Sequence, residues 1–136
     1  MIKDDCIFCK LSNGIIPTNT VYEDEDFKVI MDAAPATKGH SLILPKQHFA
    51  NIYEIDDEVL SKAAKLTKRM VSDMTEKLNC DGFNVVQNNG ETAGQTVFHF
   101  HIHLIPRYED DGQLIGWEPA KPTEEEQKMI LDMLTR

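Results

Sequence analysis

The sequence lacks the features that mark exported and disulfide-stabilised proteins. It has three cysteines among 136 residues, an odd number that cannot all pair within one chain. A chain of this length can bury a hydrophobic core without disulfides, so we expect one domain over residues 1–136. Its first ten residues, MIKDDCIFCK, have no apolar stretch long enough for a secretory signal. We therefore expect a cytoplasmic protein.

Long apolar runs and a basic surface are also missing. No apolar segment approaches the roughly 20 residues that a membrane-spanning helix needs. Lys and Arg number 14 against 23 Asp and Glu, a net charge of −9, and no basic stripe is present to neutralise a phosphate backbone. These absences argue against membrane and nucleic-acid partners, although local groups could still bind a single nucleotide.

Hydrophobic periodicity predicts an antiparallel α+β fold. β-Prone runs predict strands at 20–23 and 27–31, a third in GHSLILPKQH that stops at Pro45, and two more in GFNVVQNNG and TVFHFHIHLIP. Apolar residues at helical spacing from Asp57 to Leu78 predict one long amphipathic helix. Its apolar positions are Leu60, Ala63, Ala64, Met70, Val71, Met74 and Leu78. Three strands, a helix and two strands, without βα alternation, favour an antiparallel sheet.

The residues after Tyr108 form a distinct tail. Thr123 and Glu126 fit a capping box ahead of a short amphipathic helix. We expect this tail to pack against the body of the protein or against a partner chain. Trp117 could cap a partner's pocket or anchor the tail on the protein's own surface.

The strand segment HFHIHLI places His99, His101 and His103 at alternate positions. Alternation puts these imidazoles on one face and an apolar set on the core face: Phe98, Phe100, Ile102 and Leu104. A solvated face is one interpretation, and a metal site is another. However, the three residues span about 13 Å, which is long for a single zinc ion. Imidazole is neutral and nucleophilic near pH 7, because its pKa is about 6.5, so we favour nucleophilic attack on phosphorus.

Two of the cysteines, Cys6 and Cys9, form a C-x-x-C motif. With two of the five histidines they would complete a tetrahedral zinc site. A redox C-x-x-C is the alternative, but it usually lies in a thioredoxin-like βαβ unit that this sequence does not predict. We interpret Cys80, at the end of the long helix, as a small apolar packing residue.

The motif HFHIHLI resembles the signature of the histidine triad family of nucleotide hydrolases and transferases. CIFC, IPTNTVYEDEDFKVIMDAAPATKGHSLILPKQH and VVQNNGETAGQTVFHFHIHLIPRY also resemble that family, in its order. The likeness covers about residues 6–108, and the tail over 109–136 carries none. It implies a five-stranded antiparallel sheet with one long helix, short N- and C-terminal helices, and a homodimer with a continuous ten-stranded sheet.

The resemblance also implies which residues are catalytic. His101 would attack the α-phosphorus of a nucleotide conjugate and form a covalent nucleotidyl-histidine, which water then cleaves. His103 would contact the phosphate or the leaving group, His40 would be a fourth histidine beside the site, and Thr96 would replace a serine common in relatives. As bare sequence, Asp32 could equally form a turn before Pro35; by resemblance it binds the ribose hydroxyls.

Further substrate contacts follow from the same resemblance. The loop NNGETAGQT has two glycines that can turn backbone N–H groups toward an anion, although an ordinary hairpin turn would use them as well. By resemblance the residues at or near the phosphate are Asn88, Gly94, Gln95, Thr96 and Val97. Those walling the base pocket are Phe8, Ile16 and Ile30.

The resemblance assigns His48 and His99 as the two histidine ligands that join Cys6 and Cys9. A closed four-ligand site has no open position for water, so this zinc would be structural.

For the activity, the resemblance implies hydrolysis of a purine nucleoside 5′-phosphoramidate, or a related AMP conjugate, to AMP. The alternatives are a dinucleoside polyphosphate hydrolase, a nucleotide-binding regulatory protein with incidental turnover, and a metallohydrolase that uses the triad as ligands.

Overall fold

The computed structural model describes all 136 residues, built around one antiparallel sheet. The helices are α1 (Ile7–Ser12), α2 (Asp57–Leu78) and α3 (Glu124–Thr135). The strands are β1 (Thr20–Glu23), β2 (Phe27–Met31), β3 (Ser41–Pro45), β4 (Gly82–Val86) and β5 (Ile102–Arg107), and a 3₁₀ turn spans Glu91–Ala93. The predicted five strands, long helix and short terminal helices are confirmed. None of the helices combines the length and apolarity needed to cross a bilayer.

The strand order brings the two histidine-bearing strands together. The sheet runs β1-β2-β3-β5-β4, with every neighbouring pair antiparallel. The last strand therefore inserts between β3 and β4, so that Leu42 pairs with His103 and Ser41 with Leu104. His40, immediately before β3, comes to lie beside the triad because of this insertion.

The main hydrophobic core lies between the sheet and α2. Strand alternation turns Phe27, Val29 and Ile43 toward this core, together with the buried helix residues Ala63, Leu66, Met70 and Met74. Ala64 is exposed, so its predicted place on the apolar face is wrong. Successive helix residues differ by about 100°, so Ala63 and Ala64 cannot both face the sheet, and Leu66, three residues after Ala63, does so instead.

The opposite face of the sheet is covered by α1. Ile30, Leu42 and Leu44 form a smaller buried cluster on this face, and Phe8 and Leu11 of α1 pack against it. The sheet thus separates the α2 core from the face on which the predicted site residues lie.

The triad segment is only partly a strand. Pairing in β5 begins at Ile102, and residues 97–99 bend. Phe100, Ile102 and Leu104 are buried as predicted, but Phe98 is 50% exposed, so its predicted place on the core face is wrong. The Phe100 N–H donates to the Phe49 carbonyl at 2.6 Å, which directs the segment before β5 onto the loop after β3.

The tail departs from the body after a short anchored turn. Arg107 pairs with Asp111 at 2.8 Å, and the Gln113 side-chain amide donates to the Ala36 carbonyl at 2.9 Å. The capping box of Thr123 and Glu126 is confirmed. Helix α3 has no buried residue and so does not pack on the body, and packing of this helix on a partner stays a prediction. Trp117 is 89% exposed and does not anchor the tail on the protein's own surface.

Candidate active site and metal cluster

An apolar cavity of about 270 Å³ lies between α1 and the sheet. Phe8 and Leu11 line it from the helix, and Ile30 and Leu42 line it from β2 and β3. Asp32, immediately after β2, is the one charged residue in the lining. The apolar walls suit the flat base of a nucleoside, and the carboxylate beside them can accept hydrogen bonds from the ribose hydroxyls.

The structure brings two of the three predicted base-pocket residues into this cavity, together with the predicted ribose ligand. Phe8, Ile30 and Asp32 line it, whereas Ile16 lies outside the lining and its neighbour Pro17 takes part. Ile16 falls in the loop that follows α1, where the chain has already turned away from the helix axis.

His101 lies next to this cavity with a defined proton position. Its ring meets that of Phe8 edge-on at a centroid distance of 4.9 Å and that of His103 at 5.0 Å. Its Nδ1 lies 2.7 Å from the His99 carbonyl oxygen. A carbonyl only accepts, so Nδ1 carries the proton and Nε2 keeps its lone pair. Burial lowers the pKa of His101, which keeps the imidazole neutral at pH 7.

His40 and His103 form a directed hydrogen-bond chain beside His101. The Ala36 N–H donates to His40 Nδ1 at 2.9 Å, so the proton of neutral His40 is on Nε2. That Nε2–H donates to His103 Nδ1 at 3.0 Å, which leaves the His103 proton on Nε2. Burial lowers the pKa of His103 to about 4 and lowers that of His40 as well. The chain therefore provides a neutral N–H donor next to the His101 lone pair.

Asp32 lies beside the link between His40 and His103. Its Oδ2 lies 3.5 Å from His40 Nε2, and the ligand atoms of Asp32, His40 and His103 all lie within 4.8 Å of one another. These three groups could in principle hold a cation. The Ala36 N–H at Nδ1 opposes this, because it keeps the proton on the His40 nitrogen that would have to bind the metal. The arrangement suits hydrogen bonding better than metal binding.

A separate cluster unites Cys6, Cys9, His48 and His99, the four predicted metal ligands. Their ligand atoms all lie within 4.8 Å of one another, and all but His48 are buried. Cys6 Sγ lies 3.4 Å from His99 Nδ1, and Cys9 Sγ lies 3.4 Å from Nδ1 of both His48 and His99. Tetrahedral zinc with bonds of about 2.3 Å to sulfur and about 2.0 Å to nitrogen would separate such atoms by about 3.5 Å. The cluster therefore has the donor set and spacing of a zinc site.

The hydrogen bond made by His99 supports the same conclusion. His99 Nε2 lies 2.8 Å from the Pro45 carbonyl, so it carries the proton and directs the Nδ1 lone pair at the two sulfurs. Metal-bound histidines generally donate their second N–H to such a partner. Burial lowers the pKa of His99 to about 4, which keeps Nδ1 free of a proton near neutral pH. Burial also raises the pKa of the Cys9 thiol, a shift that a bound cation would reverse.

The glycine loop after β4 is organised by Gln95. Its side chain is 2% exposed, accepts from the Gly90 N–H at 2.9 Å, and donates to the Ala50 and Val97 carbonyls at 2.7 and 3.1 Å. Because its side-chain amide is committed to these three backbone groups, Gln95 shapes the loop, ties it to the segment after β3, and can reach a ligand only through its backbone. Gly94 has a φ of +101° and would place a Cβ 3.4 Å from the Asn88 amide, which explains the glycine.

The remaining predicted phosphate contacts are at least partly exposed to solvent. Thr96 is exposed, and its hydroxyl makes no hydrogen bond within the chain. Val97 is half-buried and Asn88 likewise. Contact of these residues with a phosphate stays a prediction.

Several contributors to the site were not predicted, among them Leu11, Leu42 and the backbone N–H of Ala36. Leu11 lies three residues after Phe8 on the same helix face, and Leu42, in β3, lies two residues after His40, which immediately precedes that strand. Both spacings were readable in the sequence. The Ala36 N–H carries no sequence signal, because any residue there except proline supplies the same donor.

Comparisons with known proteins agree with this architecture. A sequence profile described as the HIT domain matches residues 13–110. An uncharacterized HIT-like protein of Methanocaldococcus jannaschii is 46% identical over 116 residues, which cover 85% of this chain and 89% of that protein. The adenosine 5′-monophosphoramidase of Saccharomyces cerevisiae is 42% identical over 120 residues, 88% of this chain and 73% of that protein. An adenylylsulfatase of Arabidopsis thaliana is 38% identical over 110 residues, 81% of this chain and 56% of that protein.

Solved structures agree as well. A HIT family protein from Bacillus anthracis superposes with a TM-score of 0.86 at 41% identity, covering 96% of this chain and 95% of that one. A zinc-bound histidine triad family protein from Mycobacterium smegmatis gives a TM-score of 0.77 at 34% identity, covering 96% of this chain and 97% of that one. The family profile and these alignments span most of the chain and confirm the resemblance seen in the triad motif: the chain belongs to the HIT domain family.

Proposed function

We propose that this chain hydrolyses adenosine and related purine 5′-phosphoramidates, or similar AMP conjugates, and releases AMP. The observation that carries the proposal is the neutral, buried His101, whose Nδ1–H is committed to the His99 carbonyl and whose Nε2 lone pair is free beside the nucleoside-sized cavity. The names of the yeast and Arabidopsis relatives, a phosphoramidase and an adenylylsulfatase, support adenylated substrates.

The reaction would proceed in two displacements at the α-phosphorus. His101 Nε2 forms a bond to phosphorus, the bond to the leaving amine breaks, and the amine takes a proton from a water molecule that becomes hydroxide, while His103 Nε2–H donates a hydrogen bond at the site. The His99 carbonyl then stabilises the positive charge on the phosphorylated imidazole. The hydroxide attacks phosphorus, the nitrogen–phosphorus bond to His101 breaks, and AMP leaves with His101 neutral again.

The other site residues would bind and orient the substrate. Asp32 would accept the ribose hydroxyls, and His40 would keep the proton of His103 on its Nε2. Thr96 and the loop backbone would donate to the non-bridging phosphate oxygens, whose negative charge grows as the leaving bond breaks.

We further propose that Cys6, Cys9, His48 and His99 hold a structural zinc ion. All four ligand positions are filled by protein groups, so the ion would stabilise the fold rather than activate water. The zinc-bound M. smegmatis relative supports a zinc site in the family. The cysteines and Phe8 lie before the matched HIT segment, so this part of the proposal depends on the geometry of this chain.

A substrate panel with a His101→Asn variant tests the activity. We expect the wild type to cleave adenosine 5′-phosphoramidate with a higher kcat/KM than diadenosine triphosphate. The variant should lose turnover and the covalent intermediate but keep AMP binding, because Asn fills the space without the nucleophilic nitrogen.

Three results would count against the proposal in different ways. A preference for diadenosine triphosphate would favour the dinucleoside polyphosphate hydrolase. AMP binding without turnover of any adenylated amine would favour the regulatory protein. Turnover retained by His101→Asn would remove His101 as the nucleophile.

Elemental analysis tests the metal. We expect one zinc per chain in the wild type and none in a Cys6→Ser/Cys9→Ser variant, with a lower Tm but a largely retained kcat, since the ion touches no reacting atom. Wild-type protein that is free of zinc after metal-replete preparation would contradict the site.

A further inference from the structure

We propose that metal occupancy of the Cys6, Cys9, His48 and His99 cluster sets the affinity of the nucleotide site, and that Phe8 transmits this effect. The inference rests on the proposed function, because it takes AMP as the ligand of the cavity beside His101. It makes Phe8 a positioning residue as well as a wall of the cavity.

The first observation is the arrangement of α1. Phe8 lies between the two thiol ligands in sequence, Cys6 as the N-cap of the helix and Cys9 within it. Its ring is 6.0 Å from that of the ligand His99 and 4.9 Å from that of His101, edge-on to both. A single side chain therefore contacts a metal ligand, the proposed nucleophile and the nucleotide cavity.

The second observation is that the two ends of α1 are held differently. At the C-terminal end, Lys28 Nζ donates to the Leu11 carbonyl at 3.2 Å, and the Asn13 amide donates to the Lys46 carbonyl at 2.9 Å. These bonds need no metal. At the N-terminal end, the two thiols make only weak sulfur contacts: with the imidazole nitrogens at 3.4 Å, with the Lys3 N–H at 3.4 Å and with the Cys9 N–H at 3.3 Å.

A metal ion would replace those weak contacts by four coordinate bonds. Its loss would loosen the first turn of the helix, which carries Phe8, while Lys28 and Asn13 still hold the last turn. His101 itself would keep its orientation, because the His99 carbonyl that holds it belongs to a residue anchored by the Pro45 carbonyl at 2.8 Å. The metal-dependent part of the nucleotide site is thus the contact made by Phe8.

Coupling of this kind must be reciprocal. If the metal raises the affinity for AMP by some factor, AMP raises the affinity for the metal by the same factor. An aromatic contact of this kind accounts for a change of about tenfold. We therefore expect tighter AMP binding in the zinc-loaded form by about tenfold.

Calorimetric titration of AMP into zinc-loaded and chelator-stripped protein tests the coupling, with circular dichroism to verify that the stripped form is folded. We expect about tenfold weaker binding after stripping, and an equal rise in zinc affinity at saturating AMP. Phe8→Ala should bind AMP about tenfold more weakly in the loaded form and show no further loss on stripping. Ile7→Ala, which removes an exposed side chain from the same turn, should keep the full coupling.

The outcomes separate this inference from the function on which it rests. Equal AMP affinity in loaded and stripped wild type would overturn the coupling while leaving the nucleotide site in place. Unchanged AMP affinity in loaded Phe8→Ala would do the same, even if the stripped protein unfolds. Failure of the loaded wild type to bind AMP would overturn both the coupling and the proposed function.

Discussion

At the scale of single residues, the chemistry depends on which nitrogen of each histidine carries a proton. Backbone groups decide this: the Pro45 carbonyl for His99, the His99 carbonyl for His101, and the Ala36 N–H for His40. The sequence could name the histidines, because their spacing and motif are visible in it. It could not give the proton positions, because Pro45 lies 54 residues from His99 and any residue type supplies a carbonyl.

The lowered histidine pKa values predict that kcat/KM falls off at a lower pH than it would with ordinary imidazoles. Burial lowers the pKa of His101 and brings that of His103 to about 4, so each becomes protonated at a lower pH than an ordinary imidazole. Protonation of His101 would remove its lone pair, so turnover is present above the folded pKa and lost as pH falls through it. We expect kcat/KM at pH 6.0 to exceed a quarter of its value at pH 7.5, the fraction that an ordinary pKa of about 6.5 would leave.

The profile is measured with adenosine 5′-phosphoramidate, after subtraction of its spontaneous hydrolysis at each pH. The His101→Asn protein supplies the matched blank. A midpoint at or above pH 6.5 would contradict the prediction and would mean that the imidazoles are more hydrated than the structure indicates.

At the scale of elements, alternation in HFHIHLI predicted which side chains share a face but not where the strand begins. From Phe100 to Leu104 the alternation is correct, with His101 and His103 opposite the α2 core. Before Phe100 it fails, since residues 97–99 bend toward the loop after β3. Period-two hydrophobicity predicts burial only while the chain stays in the sheet; where the chain bends away, Phe98 turns outward, at 50% exposure, and His99 becomes fully buried. The bend is also what places His99 under Pro45 and beside the cysteines.

The junction of β3 and α2 gives a test of packing beside the site. Gly39, just before His40, has a φ of +90°, and a Cβ there would lie 2.6 Å from Leu78 Cδ1 at the end of α2. Gly39→Ala should therefore lose about 1–2 kcal/mol to left-handed backbone strain and about 1 kcal/mol to overpacking, the low end of the usual range because Leu78 is flexible and 39% exposed. Urea denaturation measures the free energy of unfolding.

Gly14→Ala is the matched control for this substitution. Gly14 also has a positive φ, +78°, but a Cβ there would meet nothing within 4 Å, so only the strain should remain. Adding Leu78→Ala to Gly39→Ala should recover the overpacking part and not the strain. Equal losses for Gly14→Ala and Gly39→Ala would show that Leu78 moves aside at no cost.

At the scale of the whole molecule, the sheet has two free edges, β1 and β4. The pairing of β1 with β2 is irregular between Thr20 and Tyr22, and such irregularity protects an edge from further pairing. β4 is regular over its full length, and its Val85 is 49% exposed. The predicted ten-stranded sheet of a homodimer is therefore expected to join through β4, with twice the 15.5 kDa mass of one chain in sedimentation.

Charge placed on each edge in turn tests this assembly. In a two-fold dimer joined through β4, Val85→Glu introduces two like charges at one interface, which disfavours pairing, so we expect the sedimenting mass to fall to that of the single chain. Val21→Glu is the matched control, because Val21 is 44% exposed on β1 and accepts the same change. A dimer that survives Val85→Glu but dissociates with Val21→Glu would place the junction at β1. A wild type that sediments as a single chain at all concentrations would exclude the ten-stranded sheet, and the site of each protomer would then be complete without a partner.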